Sequence, residues 1–215
     1  MPRSRGLGKR ALLLTWTIRL ILWTLGSTRI IRTVIIGAEV VPRRGAVLLA
    51  ANHTSMIDVF FILGALRREA IAMAMAELWR SPVTRWLVEV LGQIPVVRGD
   101  PESGKQAMET AAHALEDGAL VGIFPEQKCV PPGETAPYRP GVAVLATRTG
   151  VPIIPVRLIG ANEVLPLGAR FPRFGHTVYV IFGRPIRPGE FDSVSELLDE
   201  VQRRITRLEV PVSGA

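Results

Sequence analysis

The chain has 215 residues, of which 48% are hydrophobic and 21% are charged, a balance that indicates one domain with a buried core and excludes a disordered chain. Its 26 Lys and Arg residues outnumber 19 acidic residues, and the net charge of +7 favours an anionic partner such as an acidic bilayer or a phosphorylated molecule. The single cysteine excludes an internal disulfide framework and a cysteine-rich metal site.

Residues 1–36 are predicted to form a helical segment at an anionic membrane surface. Residues 1–10 are basic, and residues 11–26 are apolar and contain two tryptophans, but Arg19 interrupts the run. Such a run is too short and too charged to span a bilayer comfortably, whereas a helix with Trp, Leu and interspersed Arg suits the bilayer interface. The alternatives are an ordinary buried helix and a true membrane span.

Residues 37–210 are expected to form the remaining unit, an α/β domain. Short apolar runs alternate there with segments of helical periodicity, and no linker divides them. Apolar strands between helices predict a largely parallel or mixed sheet flanked by helices. Strands are expected at 46–51, 94–97, 119–124, 153–159 and 177–182, with a further apolar run at 71–76, and helices at 55–68, 77–91, 102–117, 139–149 and 193–208.

The segment NHTSMID, residues 52–58, follows the first predicted strand of this domain, at the edge where α/β sheets usually bind ligands. His53 and Asp58 would lie about 140° apart around a regular helix, so they meet only if His53 stays on the loop above the helix. Thr54 or Ser55 would then cap that helix. In this arrangement Asp58 holds one imidazole nitrogen and leaves the other as a general base. The alternative is a purely structural pair.

Two further predicted strands deliver polar side chains to the same edge. Arg98 follows the strand at 94–97, where a guanidinium suits phosphate recognition, or else pairs with a nearby surface acid. Glu126 and Lys128 follow the next strand, where a carboxylate would bind substrate hydroxyls and an ammonium a phosphate. Cys129 lies near Glu126 and Lys128, which suggests a nucleophile, but the sequence indicates no paired base for it, so it is interpreted as an inert thiol with a nucleophile as the alternative.

Pro152 and Pro155 bracket an apolar pair in VPIIPV, residues 151–156. Proline within a strand indicates an edge or a bulge, so the two prolines form either the wall of a pocket or simple core. No His, Cys or carboxylate cluster has the spacing of metal ligands, and no metal site is therefore predicted.

The four segments, in this order, resemble the four sequence blocks of the glycerolipid acyltransferase family, which includes the PlsC-type 1-acyl-sn-glycerol-3-phosphate (lysophosphatidate) acyltransferases. The resemblance covers about residues 35–185 and implies the α/β fold of the glycerol-3-phosphate acyltransferases. The matching segments are NHTSMID (52–58), GQIPVVR (92–98), FPE (124–126) and VPIIPV (151–156).

The first block is catalytic in that family, which implies His53 as general base and Asp58 as its orienting partner. A fatty acyl thioester, on coenzyme A or acyl carrier protein, is already activated, so the base only has to deprotonate the acceptor hydroxyl, and no other cofactor is expected. Backbone amides at the start of the 55–68 helix would stabilise the oxyanion.

The other blocks imply substrate contacts. Arg98 would bind the glycerol phosphate and Glu126 the acceptor, while Pro152 and Pro155 would lie beside the acyl-donor or acyl-chain pocket.

The third block departs from the family pattern, which usually reads Phe-Pro-Glu-Gly-x-Arg followed by Ser or Thr. Gln127 replaces the Gly, Cys129 the Arg and Val130 the hydroxyl residue, so one cationic phosphate ligand is missing. Lys128 or Arg139 would compensate; otherwise the acceptor's phosphate is bound differently or is absent.

The expected function is acyl transfer to the lysophospholipid 1-acyl-glycerol-3-phosphate, giving phosphatidic acid, by a peripheral or monotopic enzyme on the cytoplasmic face of the cell membrane. The alternatives are transfer to a different lyso-lipid or a non-phosphorylated lipid, and a non-catalytic membrane lipid-binding protein. No nucleic-acid partner is expected, because the basic residues cluster with apolar ones and no binding motif is recognised.

Overall fold

A mixed β-sheet of seven strands runs through the part of the protein that the computed structural model describes, residues 9–27, 30–131 and 133–210. The strands are β1 (Ile31–Ile36), β2 (Val47–Ala51), β3 (Ile71–Met75), β4 (Ile94–Val96), β5 (Leu120–Ile123), β6 (Ile153–Ile159) and β7 (His176–Phe182). Their spatial order is β1-β7-β6-β2-β5-β3-β4, and neighbours are parallel except for β6 and β7. The carboxyl ends of β2 to β6 therefore meet along one side of the sheet, called the carboxyl edge below.

Helices cover both faces of this sheet. The helices are α1 (Lys9–Ser27), α2 (Asp58–Ala65), α3 (Pro82–Val90), α4 (Pro101–Glu116), α5 (Gly141–Thr149), α6 (Ala161–Val164) and α7 (Val194–Arg207). Buried side chains of α1, α2 and α6 belong to a core on one face, and those of α4, α5 and α7 belong to a core on the other.

The central strand β2 divides these two cores. Val47, Leu49 and Ala51 belong to the core beneath α2, and Leu48 and Ala50 to the core beneath α4 and α5. Side chains alternate across a strand, so a strand covered by helices on both faces is apolar throughout. The predicted α/β fold with a mixed sheet and flanking helices is thereby confirmed.

Residues 31–36 form the edge strand β1, so the expectation of a helical segment through residue 36 is wrong for this stretch; the helix α1 ends at Ser27. Residues 1–8 of the predicted segment lie outside the described residues. β1 pairs in parallel with β7, from Ile31 opposite His176 to Ile36 opposite Ile181. A short apolar run has the same appearance in a helix and in a strand, and only this distant pairing partner decides between them.

Pro155 lies inside the central strand β6, so the expectation of an edge or a bulge is also wrong. Its carbonyl accepts a hydrogen bond of 2.8 Å from Gly183, on the β7 side. The N–H that proline lacks would point to the same side, where β7 ends at Phe182, so little of the ladder is lost.

Helix α1 packs on α2 and β1 through its inner face. Ile18 is 8% exposed there. Gly64 allows the two helices to approach, because a Cβ atom at that position would lie 2.3 Å from Leu22 Cδ1. The inner face thus attaches α1 to the domain, and the opposite side of the helix faces outward.

The outer face of α1 is apolar and exposed. It consists of Leu13, Trp16, Leu20 and Trp23, each between 61% and 70% exposed. These positions recur every three or four residues, so they share one helical stripe. Beside this stripe, α3 exposes Val83 and Trp86. Within the described ranges, no helix combines the length and apolar character needed to cross a bilayer.

Candidate active site

His53 and Asp58 meet at the carboxyl edge of β2. His53 stays on the loop two residues after the strand, and Asp58 is the first residue of α2. The imidazole Nδ1 donates to Asp58 Oδ2 at 2.9 Å, and the Asp58 side chain is completely buried while that of His53 is 14% exposed. The loop-and-helix arrangement predicted for the pair is therefore the one observed. The other imidazole nitrogen, Nε2, is left as a proton acceptor.

The Asp58 carboxylate also organises the loop that carries His53. Its Oδ2 atom accepts hydrogen bonds from the backbone amides of Thr54 and Ser55, at 2.7 and 2.9 Å. Neither side chain caps α2, whose N-cap residue is Ile57, and the Ser55 hydroxyl donates instead to the Leu165 carbonyl. The expected capping is therefore corrected. The amides of Thr54 and Ser55 are taken by Asp58, so an oxyanion would have to be stabilised by other amides near the start of α2.

Two residues that the sequence did not single out support the loop and the ring of His53. The Asn52 amide group bonds both backbone groups of Leu158 on β6, at 2.7 and 3.0 Å, which joins the ends of β2 and β6. The Phe124 ring stacks on the His53 imidazole, with ring centroids 4.2 Å apart and planes inclined by 22°. The sequence signals were that Asn52 directly precedes His53 and that Phe124 lies two residues before Glu126.

Glu126 lies against the backbone of His53. Its Oε2 atom accepts from the His53 amide at 2.6 Å, and the Val130 amide donates to the His53 carbonyl at 2.7 Å. Burial raises the pKa of Glu126 to about 7, although the hydrogen bond from the His53 amide opposes this rise. The loop after β5 therefore supports the histidine from both of its backbone groups.

Glu126→Gln is expected to raise the unfolding temperature above pH 7.5 and to leave it nearly unchanged at pH 4.5. A carboxyl with a pKa of about 7 when folded and 4.5 when unfolded binds more protons in the folded state, so stability falls as pH rises between these values. Gln keeps an oxygen acceptor and never ionises. A gain of about 1 kcal/mol corresponds to roughly 2–4 °C in a chain of this size. Thermal unfolding at both pH values measures the difference, and Glu134→Gln, on the exposed loop, is the control. An equal shift at both pH values would contradict the prediction.

Cys129 lies beside Nε2, the imidazole nitrogen that Asp58 does not contact. Its Sγ atom is 3.4 Å from His53 Nε2 and 3.8 Å from the Met56 sulfur. The tertiary structure thus supplies the paired base that the sequence did not reveal, and the interpretation of Cys129 as an unpaired thiol is wrong. Burial lowers the pKa of His53, but the interactions with Asp58 and Cys129 raise it more, to about 9.

The predicted cationic residues lie exposed at the carboxyl edge. Arg98 follows β4, three strands from β2, which is roughly 14 Å of lateral distance at the usual strand spacing. Asp100 accepts from the Glu102 amide and caps α4. Lys128 is on the turn after Glu126, and the Arg139 amide donates to the Pro125 carbonyl at 2.9 Å, which brings the two loops together.

Pro152 and Pro155 are not brought to His53. Pro152 precedes β6 at the opposite edge of the sheet, where its carbonyl accepts from the Leu48 amide. Pro155 is buried in the middle of β6, opposite Ala50. Their positions are those of core and sheet residues.

Gln127 occupies a left-handed backbone conformation, with φ of 56°. This is the position at which the resembling family usually has Gly. In this region, glycine avoids the strain of a side chain, and this gain is larger than the chain entropy that glycine loses on folding. Gln127→Gly is therefore expected to increase the free energy of unfolding by roughly 0.5–1 kcal/mol. Urea unfolding measures the gain. Gln127→Ala, which keeps the strain, should show none, and a gain from alanine of the same size would contradict the explanation.

Among the described residues, no group of three or more His, Cys, Asp or Glu side chains is arranged to hold a metal ion. The site consists instead of an imidazole between a buried carboxylate and a thiol, and exposed cationic side chains lie on other loops of the carboxyl edge. Such an arrangement can take a proton from a hydroxyl or a thiol at Nε2 and stabilise the imidazolium that forms.

Comparison with known proteins gives consistent matches. Residues 32–159 match the family described as Acyltransferase. The chain is 29% identical to the chloroplastic 1-acyl-sn-glycerol-3-phosphate acyltransferase BAT2 of Brassica napus, over 72% of this chain and 44% of the relative. It is 28% identical to the 1-acyl-sn-glycerol-3-phosphate acyltransferase of Borreliella burgdorferi, over 68% of this chain and 57% of the relative.

The same fold occurs in a solved structure. The crystal structure of the 1-acyl-sn-glycerophosphate acyltransferase PlsC from Thermotoga maritima matches with a TM-score of 0.78 and 25% identity, covering 92% of this chain and 78% of that one. The chain spans about half the length of the first curated relatives it matches.

Proposed function

The chain belongs to the acyltransferase family, and on that basis we propose that it transfers a fatty acyl group from a thioester to the free hydroxyl of 1-acyl-glycerol-3-phosphate, giving phosphatidic acid. The relatives and the similar crystal structure carry this acceptor in their names. The observation that carries the proposal is the pair of His53 and Asp58, held at the carboxyl edge with Nε2 directed away from the carboxylate.

In the proposed reaction, His53 Nε2 takes the proton of the acceptor hydroxyl. The oxygen forms a bond to the thioester carbonyl carbon, the carbon–sulfur bond breaks, and the donor leaves as a thiol that receives the proton. Asp58 stabilises the imidazolium between these steps. Because Asp58 and Cys129 raise the pKa of His53 to about 9, the neutral imidazole that accepts the proton becomes more populated as the pH rises toward that value. The donor is a coenzyme A or acyl carrier protein thioester, and no other cofactor is needed.

The acceptor's phosphate is assigned to the cationic rim, which contains Arg98, Lys128 and Arg139. Arg98 has the planar donor geometry that binds a phosphate through two hydrogen bonds. It is exposed at the carboxyl edge, which also carries His53. Glu126, whose carboxylate contacts the His53 backbone, is assigned to the acceptor side of the site.

Arg98→Ala is expected to raise the KM for lysophosphatidate about tenfold or more, since a hydrogen bond to a charged group contributes about 1.5–3 kcal/mol. The KM for palmitoyl-CoA should change little. The matched control is Arg184→Ala, an exposed arginine after β7, at the opposite edge of the sheet. Initial rates measured by thiol release give both constants, and equal effects on the two substrates would remove Arg98 from the acceptor site.

Transfer to a neutral lipid hydroxyl is the second candidate function, favoured by the altered third block. Val130 is buried and its amide bonds the His53 carbonyl, so this position stabilises the loop and offers no ligand. Thiol release from palmitoyl-CoA with lysophosphatidate, compared with its phosphate-free monoacylglycerol analogue, separates the two functions. A strong preference for lysophosphatidate is expected. Turnover with monoacylglycerol alone would assign the neutral acceptor.

We also propose that the enzyme is attached peripherally to the cytoplasmic face of the cell membrane. The outer face of α1 supports attachment to a membrane surface, because four large apolar side chains are exposed on a helix that begins in a basic segment. The acyl acceptor and product are lipids, so attachment would bring the site to its substrate.

A further inference from the structure

We propose that the loop between α6 and β7, residues 165–175 and called the aromatic loop below, inserts into the surface of an anionic bilayer and directs the site around His53 toward the lipid. The inference rests on the proposed transfer to a lipid acceptor. It adds a second membrane contact to the outer face of α1, and it gives the carboxyl edge of the sheet an orientation relative to the membrane.

The tip of the aromatic loop exposes a group of large apolar side chains. Leu167, Phe171 and Phe174 are each between 59% and 79% exposed. The described part of the chain therefore leaves all three largely uncovered. Exposed apolar side chains that are scattered singly are normal, whereas a group of them with polar residues around it marks a contact with a protein or a membrane.

The charge of the aromatic loop favours an anionic bilayer as that contact. Arg170 and Arg173 are exposed and precede the two phenylalanines, and no acidic residue lies between Glu163 and His176. Arginine places its charge among lipid phosphates while neighbouring aromatic side chains enter the apolar layer. The same combination occurs at α1, whose apolar outer face follows a basic segment, so both elements suit the same partner.

The aromatic loop starts beside the site. β7 is antiparallel to β6, so the connection between them stands at the carboxyl edge, where β6 ends. The hydroxyl of the buried Ser55, two residues after His53, donates to the Leu165 carbonyl at 2.7 Å. Met56 follows and is also exposed, and its sulfur lies 3.8 Å from Cys129 Sγ. The start of the loop is thereby fixed to the segment that carries the imidazole.

Hydrogen bonds also hold the other end of the aromatic loop. The Arg173 amide donates to the Val164 carbonyl at 2.6 Å, and the Gly175 amide donates to the Ile30 carbonyl at 2.7 Å. Ile30 lies three residues after the end of α1. A compact loop whose ends are held close together can present its tip without disturbing the sheet. The aromatic loop and α1 thus provide two exposed apolar surfaces on adjoining elements.

The first measurement is hydrogen exchange of the unaltered protein with and without vesicles of phosphatidylcholine and phosphatidylglycerol. Peptides covering residues 165–175 should exchange more slowly on the vesicles, and peptides covering α5, which packs on the opposite face of the sheet, should not change. No acceptor is needed, so this result is independent of the acceptor assignment. Unchanged exchange of residues 165–175 in vesicle-bound protein would overturn the proposal, and absence of vesicle binding would overturn it together with the proposed attachment.

Phe171→Ser combined with Phe174→Ser should weaken binding to these vesicles about tenfold or more, because two large apolar side chains no longer leave water on insertion. Phe171→Leu combined with Phe174→Leu keeps an apolar tip and should bind nearly as the wild type does. Val144→Ser, on α5, is the control for loss of an exposed apolar side chain elsewhere. Thermal unfolding verifies that each variant folds. Wild-type binding of the serine pair, or equal weakening by both pairs, would contradict insertion of the loop.

Acyl transfer by the serine pair distinguishes an orienting loop from an acceptor-binding one. The apparent KM for long-chain lysophosphatidate embedded in vesicles should rise about tenfold or more, and that for a short-chain lysophosphatidate dissolved below its critical micelle concentration should stay unchanged. Equal effects on both acceptors would place the loop in the acceptor site and overturn the proposal.

The same variant separates the bilayer from a protein partner. Normal vesicle binding with a loss of transfer confined to acyl carrier protein thioesters would assign the aromatic loop to the donor protein and overturn membrane insertion. If neither lysophosphatidate were used, the proposed function would fail, while slowed exchange of residues 165–175 on vesicles would still support insertion of the loop.

Discussion

His53→Gln is expected to lower palmitoyl transfer to lysophosphatidate by about 10²–10⁴-fold, the usual contribution of a general base. Glutamine has no group that can accept and return a proton near neutral pH. Its backbone would still bond Glu126 and Val130, which contact only the amide and carbonyl of this residue. The fold should therefore survive, and thermal unfolding beside the activity assay verifies that it does.

The matched control for this change is His113→Gln. His113 also faces a carboxylate, Glu116 at 3.1 Å, but the pair is exposed on α4. Its replacement should leave transfer unchanged. If His53→Gln retained more than a tenth of the wild-type rate, proton removal by this imidazole would be wrong.

Asp58→Asn removes a carboxylate whose orienting and folding roles are combined in one oxygen atom. Asp58 Oδ2 accepts three hydrogen bonds, from Nδ1 and two backbone amides. An amide side chain can keep some of these contacts but stabilises no imidazolium. Activity and stability should both fall, so this variant is less selective than His53→Gln and serves only to support it.

A triple substitution on the outer face of α1, Trp16→Ser with Leu20→Ser and Trp23→Ser, is expected to weaken liposome binding on the order of 100-fold or more. Each large apolar side chain contributes about 1.5–3 kcal/mol when it leaves water. These side chains are already exposed, so their loss should cost the fold little. Co-sedimentation with vesicles containing anionic phospholipid measures the effect.

The control is Val144→Ser, an exposed apolar residue on α5, a helix that packs on the opposite face of the sheet. It should bind vesicles normally. Binding of the triple variant at the wild-type level would move the attachment surface away from α1. Comparison with uncharged vesicles separates the apolar contribution from that of the basic residues, which salt should screen.

The sequence alone predicted the elements whose patterns are local. The runs at 46–51 and 153–159 are continuous and apolar, and such runs become buried strands because helices cover both faces of a parallel sheet. The spacing of His53 and Asp58 also sufficed to predict a loop histidine above the first turn of a helix. That geometry follows from the helical repeat and from the short distance between the two residues.

The tertiary structure decided what depends on distant partners. Strand β1 exists because β7, some 145 residues later, offers it an edge. Pro155 is tolerated in a central strand because β7 ends beside it. Cys129 lies 76 residues from His53 along the chain, and only the meeting of the loops after β2 and β5 places its sulfur against the imidazole. Local sequence determines how a segment folds, but contacts between segments follow from the packing of the whole sheet, and the chemistry of this site is composed of such contacts.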